Sequence, residues 1–279
     1  MQQWLVIQVD SRSFGLRVAS VREIASGKDQ QICTVPGVDA RVVGVTSLRG
    51  AVISVLDLRT MLGLRSMAEE TDSVIDTLEA RQHDHVRWLS ELENCVNERR
   101  PFTLATDPHA CAFGRWYDAL RADKNALERF TNGDIALDEV IERFDGPHRR
   151  IHAIARRVAA LVTDYHPEQA RSLIDETRNV ELATMIELFD AAKRLIRSLR
   201  TPMIIILAHN AAMCGLQVDT IESVVEIDPS NVAPLDPILG ASRLVQEIAQ
   251  LDGRTEPVVL LDVPAIFTGL DSRPMAATA

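Results

Sequence analysis

Apolar positions follow two different rhythms along this chain. From residue 3 to 64 they cluster in short strand-forming runs, as in Trp4-Leu5-Val6-Ile7-Gln8-Val9, Val42-Val43-Gly44-Val45 and Ala51-Val52-Ile53-Ser54-Val55-Leu56. The same texture returns from 203 to 270, in Met203 to Leu207, Leu216 to Val218 and Ile221 to Ile227. Short, evenly punctuated runs of this kind predict small barrels rather than a parallel sheet. Asp252-Gly253 predicts a hairpin turn between Leu244 to Leu251 and Pro257 to Leu261, and Asp57 to Leu64 and Val263 to Leu270 each predict one short helix closing a half.

Between Met67 and Leu199 the rhythm becomes helical, with charged stretches and few Gly or Pro. Leu182, Met185, Phe189, Ala192, Ile196 and Leu199 recur at alternating steps of three and four, forming one apolar seam. Leu78, His85, Trp88, Leu92 and Val96 form a similar stripe on a helix spanning about Thr71 to Asn97. A helix from Cys111 to Ala122, a region broken at Asn132-Gly133 and Gly146-Pro147, and a third long helix from His148 to about Asp164 complete a four-helix type of arrangement.

The order β, helical, β carries more information than either texture alone. Neither flank holds enough strands to close a barrel of native size, so the helical block reads as an insertion. The expected boundaries are residues 1–66 and 201–279 for the two parts of the host and 67–200 for the inserted bundle.

A formal charge of −10 argues against nucleic acid or an anionic membrane as the main partner, since both select clustered Lys and Arg. No basic leader followed by an apolar run opens the chain, and no stretch approaches the ~20 apolar residues of a membrane span, so a cytoplasmic protein with soluble partners is expected. The four cysteines, Cys33, Cys95, Cys111 and Cys214, lack the spacing of a disulfide framework and read as thiols or metal ligands.

His148 and His152 lie one helical turn apart on the face that carries Ile151, Ala155, Val158 and Val162, a metal-ligand spacing aimed into the bundle. His85 sits on the apolar stripe of the first helix, and Cys111 opens a helix whose N-terminal dipole favours a thiolate. Three imidazoles and one thiolate make a filled tetrahedral set of the kind zinc prefers. His83 falls off the stripe, His109 precedes its helix as a cap or solvated residue, and His166 and His209 read as structural or exposed. Cys33, Cys95 and Cys214 read as small buried or inert thiols, Trp88 and Trp116 as core filling around the metal, and Glu69-Glu70 and Glu98-Arg99-Arg100 as solvated surface.

These residues carry a resemblance. His85-Val-Arg-Trp88, Cys111-Ala-Phe-Gly114-Arg-Trp116 and His148-Arg-Arg-Ile-His152 resemble, in order, the His-x-x-Trp, Cys-x-x-Gly-x-Trp and His-x-x-x-His signatures of the chemoreceptor zinc-binding (CZB) family. The resemblance covers about residues 71 to 165. It implies that His85, Cys111, His148 and His152 hold Zn2+ in a cytoplasmic bundle, often dimeric, that senses zinc or oxidants through the zinc-bound cysteine.

The flanks are similar to the CheW family in Val21-Arg-Glu-Ile24, Val35-Pro36-Gly37, Gly44 to Gly50, Val55 to Arg59, Gly215 to Asp219 and Leu260-Leu-Asp262. That resemblance implies an α+β multidomain protein: a CheW-like double five-stranded β-barrel with an inserted all-α zinc-binding bundle. It further implies docking on a CheA-type histidine kinase and on the cytoplasmic tips of chemoreceptors, without catalysis, with Arg49 and Gly50 near the receptor-binding groove. The insertion departs from the family, which has only a short link at that point.

The expected function is thus a chemotaxis adaptor whose bundle responds to zinc or oxidant. One alternative makes zinc a structural staple of a dimerisation module, since the Leu182 to Leu199 seam can serve a homodimer or the internal core. A zinc hydrolase fits worse, because four protein ligands leave no position for water and no His-Glu-x-x-His, phosphate-loop or Gly-x-Ser-x-Gly pattern occurs.

Overall fold

The computed structural model describes residues 1–235, 243–251 and 253–268. Before the insertion run β1 (Gln2–Val9), β2 (Arg12–Arg17), β3 (Val21–Ser26), β4 (Val42–Leu48), β5 (Ala51–Asp57) and the short helix α1 (Leu58–Met61). The helices α2 (Met67–Glu98), α3 (Ala112–Ala122), α4 (Lys124–Thr131), α5 (Ile135–Glu142), α6 (Asp145–Thr163), α7 (Pro167–Thr177) and α8 (Ala183–Leu199) follow. The chain then continues through β6 (Met203–His209), β7 (Ala212–Val218), β8 (Thr220–Ile227), β9 (Val232–Pro234), β10 (Val245–Ala249), β11 (Val258–Leu261) and α9 (Val263–Thr268). Two compact units result, one from Met1–Glu69 together with the chain from Thr201 on, the other from Glu70–Arg200.

In the β unit the strands form a six-stranded sheet ordered β8-β1-β2-β11-β10-β9 and a five-stranded sheet ordered β3-β6-β7-β5-β4. Both sheets mix strands from before and after the insertion, so neither flank can complete its hydrogen bonding alone. Most neighbours are antiparallel, whereas β5 with β7 and β2 with β11 pair parallel across the two flanks. Five strands were expected in each half. The additional strand is β9, whose Pro234 is tolerated because β9 lies at the sheet edge. Strand texture had pointed past β2 and β3, where Arg, Ser, Gly and Glu interrupt the apolar pattern. In the expected hairpin, β10 and β11 do pair antiparallel, but Asp252 of the turn lies outside the described residues, as do Gly269 and Leu270 of the last expected helix.

Side-chain alternation gives each strand two jobs. On β1, Leu5, Ile7 and Val9 face a central core with Phe14, Leu16, Leu56, Leu207 and Leu216. Trp4 and Val6, on the opposite face, pack with Ile227 of β8, Ala249 of β10 and Val258 and Leu260 of β11. Strands far apart in the sheet order therefore share one small core, which requires the sheet to curl around it as barrel sheets do. On β6 the same division holds, with Ile205 and Leu207 in the central core and Ile204 and Ile206 packed with Ile53.

A charged pair links the chain on either side of the insertion. Arg59 of α1 donates from Nε to Asp219 Oδ1 at 2.7 Å and from its terminal nitrogen to Asp219 Oδ2 at 2.9 Å, a bidentate geometry. The side chains are only 7% and 15% exposed, so neither charge has water to fall back on. Asp219 also accepts the Asp10 backbone N–H at 2.9 Å.

The helical unit is built on α2, of 32 residues, α6, of 19, and the α7–α8 pair, joined through a π-helical turn at Arg178–Leu182. Ser66 and Glu69 start α2 with a reciprocal cap, Ser66 Oγ accepting the Glu69 N–H at 3.1 Å and Glu69 accepting the Ser66 N–H at 2.8 Å. The expected stripe and seam are both internal: Leu78, Trp88, Leu92 and Val96 bury against Leu182, Met185, Phe189, Ala192 and Ile196 in one core. The stretch between α2 and α6 folds as three short helices. Asn132 and Gly133, both at positive φ, close α4 before Asp134 caps α5. Gly146-Pro147, read as a break, instead falls in the first turn of α6, where the missing proline N–H has no helical partner to lose. Among the described residues, no helix is long and apolar enough to cross a membrane.

Removing one member of the Arg59–Asp219 pair strands a buried charge, so Asp219→Ala is expected to cost about 3 kcal/mol in urea unfolding, while Arg59→Met with Asp219→Leu recovers most of it. A loss below about 1 kcal/mol for Asp219→Ala, the size of a surface pair, would contradict this.

Candidate metal centre

Each of three helices presents its donors for a local reason. His85 lies on the buried stripe of α2, and its Nδ1 sits 2.7 Å from the Arg81 carbonyl one turn earlier. That contact fixes Nδ1 as the protonated nitrogen and leaves Nε2 as a lone-pair donor. His148 and His152 lie one turn apart on the buried face of α6, 3% and 1% exposed. Cys111 is the N-cap of α3, where its Sγ accepts the Gly114 N–H at 3.1 Å.

Gly114 explains itself by geometry. A Cβ there would stand 1.8 Å from the Pro108 carbonyl oxygen, inside the turn that delivers Cys111 to the cap. Any larger residue must push that turn, and Cys111 with it, away from α6.

The four groups meet. One ligand atom from each of His85, Cys111, His148 and His152 lies within 4.8 Å of the others, and Cys111 Sγ is 3.2 Å from His148 Nε2. Ring centroids of the three imidazoles stand 4.9 to 6.0 Å apart, each pair edge to face. Among the described residues, four buried side-chain nitrogen or oxygen atoms have no hydrogen-bond partner, and His85 Nε2 and both nitrogens of His152 are three of them. Orphaned polar atoms gathered at one point of an apolar bundle are the mark of a ligand position. Three imidazole nitrogens and a sulfur within this span suit one four-coordinate cation.

Electrostatics favour an imidazole set ready to donate. Burial, then the neighbouring His85 and His152, push His148 down to about 2, and burial followed by His85 lowers His152 to about 4. His85 is lowered by burial as well. All three are neutral at pH 7. Cys111 departs from the expectation of a thiolate made by the helix dipole: burial raises its pKa, and the opposing N–H groups of Gly114 and Phe113 are the smaller effect. A bound cation would offset that burial and hold the sulfur deprotonated.

The competing residues lie elsewhere. His83 is exposed, with its Nδ1 2.8 Å from the Glu79 carbonyl, and His109 is exposed and paired with Asp118 at 2.8 Å. His166 starts α7 in the open, and the half-buried His209 stands 5.8 Å from Phe267 in the β unit. Cys95 and Cys214 are buried, while Cys33 is exposed rather than buried. Trp88 packs on His152 at 4.8 Å, whereas Trp116 is half-buried and meets Phe113 at a tilt and Phe130 edge to face. The residue that sequence reading passed over is Phe113, fully buried, whose ring abuts His85 at 5.4 Å and His148 at 4.8 Å. Its position two residues after Cys111 was the available signal. In the β unit, Arg49 and Gly50 form the exposed β4–β5 turn, both at positive φ, and Arg49 pairs with Glu23 at 3.1 Å.

Two outcomes follow from this geometry. His148 and His152 bind protons more weakly folded than unfolded, so the metal-free bundle is expected to hold its full stability above pH 6.5 and to lose it as pH falls from there toward about 4 and below. A melting temperature in chelator that stays flat from pH 7 to about 5 would contradict the burial of neutral imidazoles. Gly114→Ala is expected to destabilise the bundle by about 2 kcal/mol or more through forced displacement of the Pro108–Cys111 turn, measured by chemical unfolding; wild-type stability would show that the turn gives way freely.

Comparison with known proteins agrees with both parts of the chain. The family model for the CheW-like domain matches residues 3–83 and 178–271, and the model for the chemoreceptor zinc-binding domain matches residues 85–159 between them. Chemotaxis protein CheW of Bacillus subtilis (strain 168) is 33% identical over 95 residues, 34% of this chain. That match spans 59% of the relative's length. Among solved structures, scaffolding protein TtCheW from Thermoanaerobacter tengcongensis aligns with 94% of this chain and 89% of its own at 13% identity and a TM-score of 0.42. With strands from both flanks interleaved in two sheets and a His/Cys cluster in the helices between them, the chain belongs to the CheW-like family and carries a chemoreceptor zinc-binding domain inserted within its CheW-like domain.

Proposed function

We propose that this protein is a non-catalytic chemotaxis adaptor, with residues 1–66 and 201–279 coupling chemoreceptors to a CheA-type histidine kinase and residues 67–200 forming a zinc-dependent sensory bundle. The observation that carries the sensory half is the convergence of His85, Cys111, His148 and His152 on one point among apolar side chains. Zinc fits this donor set better than other common cations, because its closed d shell accepts tetrahedral ligation by three nitrogens and one sulfur without penalty. Four protein donors leave no position for water, which favours a structural or regulatory ion over a hydrolytic one.

When bound, zinc would join α2, α3 and α6 and hold Cys111 as the thiolate. His85 keeps its orientation through the Arg81 carbonyl, and Cys111 keeps its own through the Gly114 N–H. Oxidation of Cys111 removes one of the four donors and weakens the site, which makes the bundle responsive to oxidant as well as to zinc. Membership of the CheW-like family supports kinase and receptor as partners and a cytoplasmic location. The exposed Arg49-Gly50 turn is the surface assigned to the receptor side.

The test measures binding to a CheA-type kinase and to a receptor signalling fragment, with zinc bound, after chelation and after mild oxidant. The expected outcome is a shift of about three-fold or more in at least one affinity, of the order of a modest coupling energy. Unchanged affinities in all three states would remove the sensory role. Arg49→Ala is expected to weaken receptor binding about ten-fold while sparing the kinase, and equal loss for both partners would contradict that assignment.

A further inference from the structure

A cavity of about 710 Å³ reaches the metal centre from solvent. His85, Cys111 and His152, all but Cys111 buried, line it together with Asp84, Arg87 and Ser90 of α2 and with Leu104 and Ala105 of the segment between α2 and α3. That segment is held weakly by its own backbone. From Arg100 to Asp107 it has no helix or strand, and residues 103 to 107 are exposed. Among the described residues, no backbone–backbone hydrogen bond reaches Phe102 to Thr106; the flanking ones join Arg100 to Cys95 and Ala110 to Asp107.

One side chain meets it at two places. The Trp88 indole, 5% exposed, donates its Nε1–H to the Ala105 carbonyl at 2.8 Å. The same ring packs edge to face on Phe102 of the segment at 5.1 Å and, tilted, on His152 at 4.8 Å. Trp88 therefore links the segment to the centre: one ring touches both Phe102 and His152 while its N–H holds the Ala105 carbonyl.

We propose that Trp88 is a positioning residue that latches the Phe102–Thr106 segment over the cavity and so sets the rate at which the bound ion exchanges and small reagents reach Cys111. This rests on the metal reading of the site. Indole nitrogen and ring have separate tasks: the N–H ties down the cover, and the ring fills the space against His152.

The direct variant is Trp88→Phe, which removes the N–H and keeps an aromatic ring. Transfer of zinc from the loaded protein to a chromogenic chelator is expected to be about five-fold faster, the effect of losing one buried hydrogen bond. Chymotryptic cleavage after Leu104 is expected to quicken with it. Transfer at the parent rate would overturn the latch. Should this variant fail to fold, the parent protein decides: the Trp88 indole N–H, followed by nitrogen-15 NMR, is expected to exchange slowly with zinc bound and faster after chelation. Equal exchange in the two states would also overturn it. A parent that retains no zinc in metal analysis fails the reading of the site itself, an outcome separate from a zinc-loaded protein whose transfer rate ignores Trp88.

Discussion

Three imidazoles share a small volume inside an apolar bundle, and among the described residues the nitrogens of His152 and the Nε2 of His85 have no hydrogen-bond partner within normal geometry. Each such orphan costs on the order of 1 to 3 kcal/mol when dry. Protonation offers no relief, since burial disfavours the charged form of all three and neighbouring imidazoles add to it at His148 and His152. A cation shared by them and Cys111 would turn that cost into a bond, and much of the local architecture keeps the four donors in place. The Gly114 position, the cap at Cys111 and the packing of Phe113 against two imidazoles all act on the same point.

The host solves a different problem. Its sheets are woven from both flanks, so the strands of the first flank gain their full hydrogen bonding only when the second returns. The insertion leaves every strand intact because it falls between α1 and β6, in a connection and not in a sheet. Arg59, just before the insertion, and Asp219, well after it, close over this gap with a bidentate pair that water barely reaches. The bundle is thus joined covalently to its host at two points of one interleaved fold.

The sequence made the periodic features legible and left the pairwise ones hidden. The stripe from Leu78 to Val96 and the seam from Leu182 to Ile196 could be read because a helix repeats its buried face at fixed spacing, and His85, His148 and His152 sit on such faces. Cys111 could be read from its place at a helix start, although its burial reversed the expected effect of the dipole on its thiol. Strand partners could not be read, because parallel pairings such as β5 with β7 join residues about one insertion apart with no local signal. The short strand β2 escaped for a related reason, since Gly15 and its charged ends break the alternation while its partners in the sheet sustain it. Gly146-Pro147 misled because the same dipeptide that ends a helix is harmless in a first turn. The Trp88–Ala105 contact depends on an irregular segment whose course no periodicity encodes.

X-ray absorption at the zinc edge tests the central claim most directly, because it counts the atoms around the ion without reference to any partner. The account expects three nitrogens at about 2.0 to 2.1 Å and one sulfur at about 2.3 Å, with the sulfur absent in Cys111→Ala. A shell of nitrogen and oxygen alone in the parent protein, or no zinc retained to measure, would contradict it.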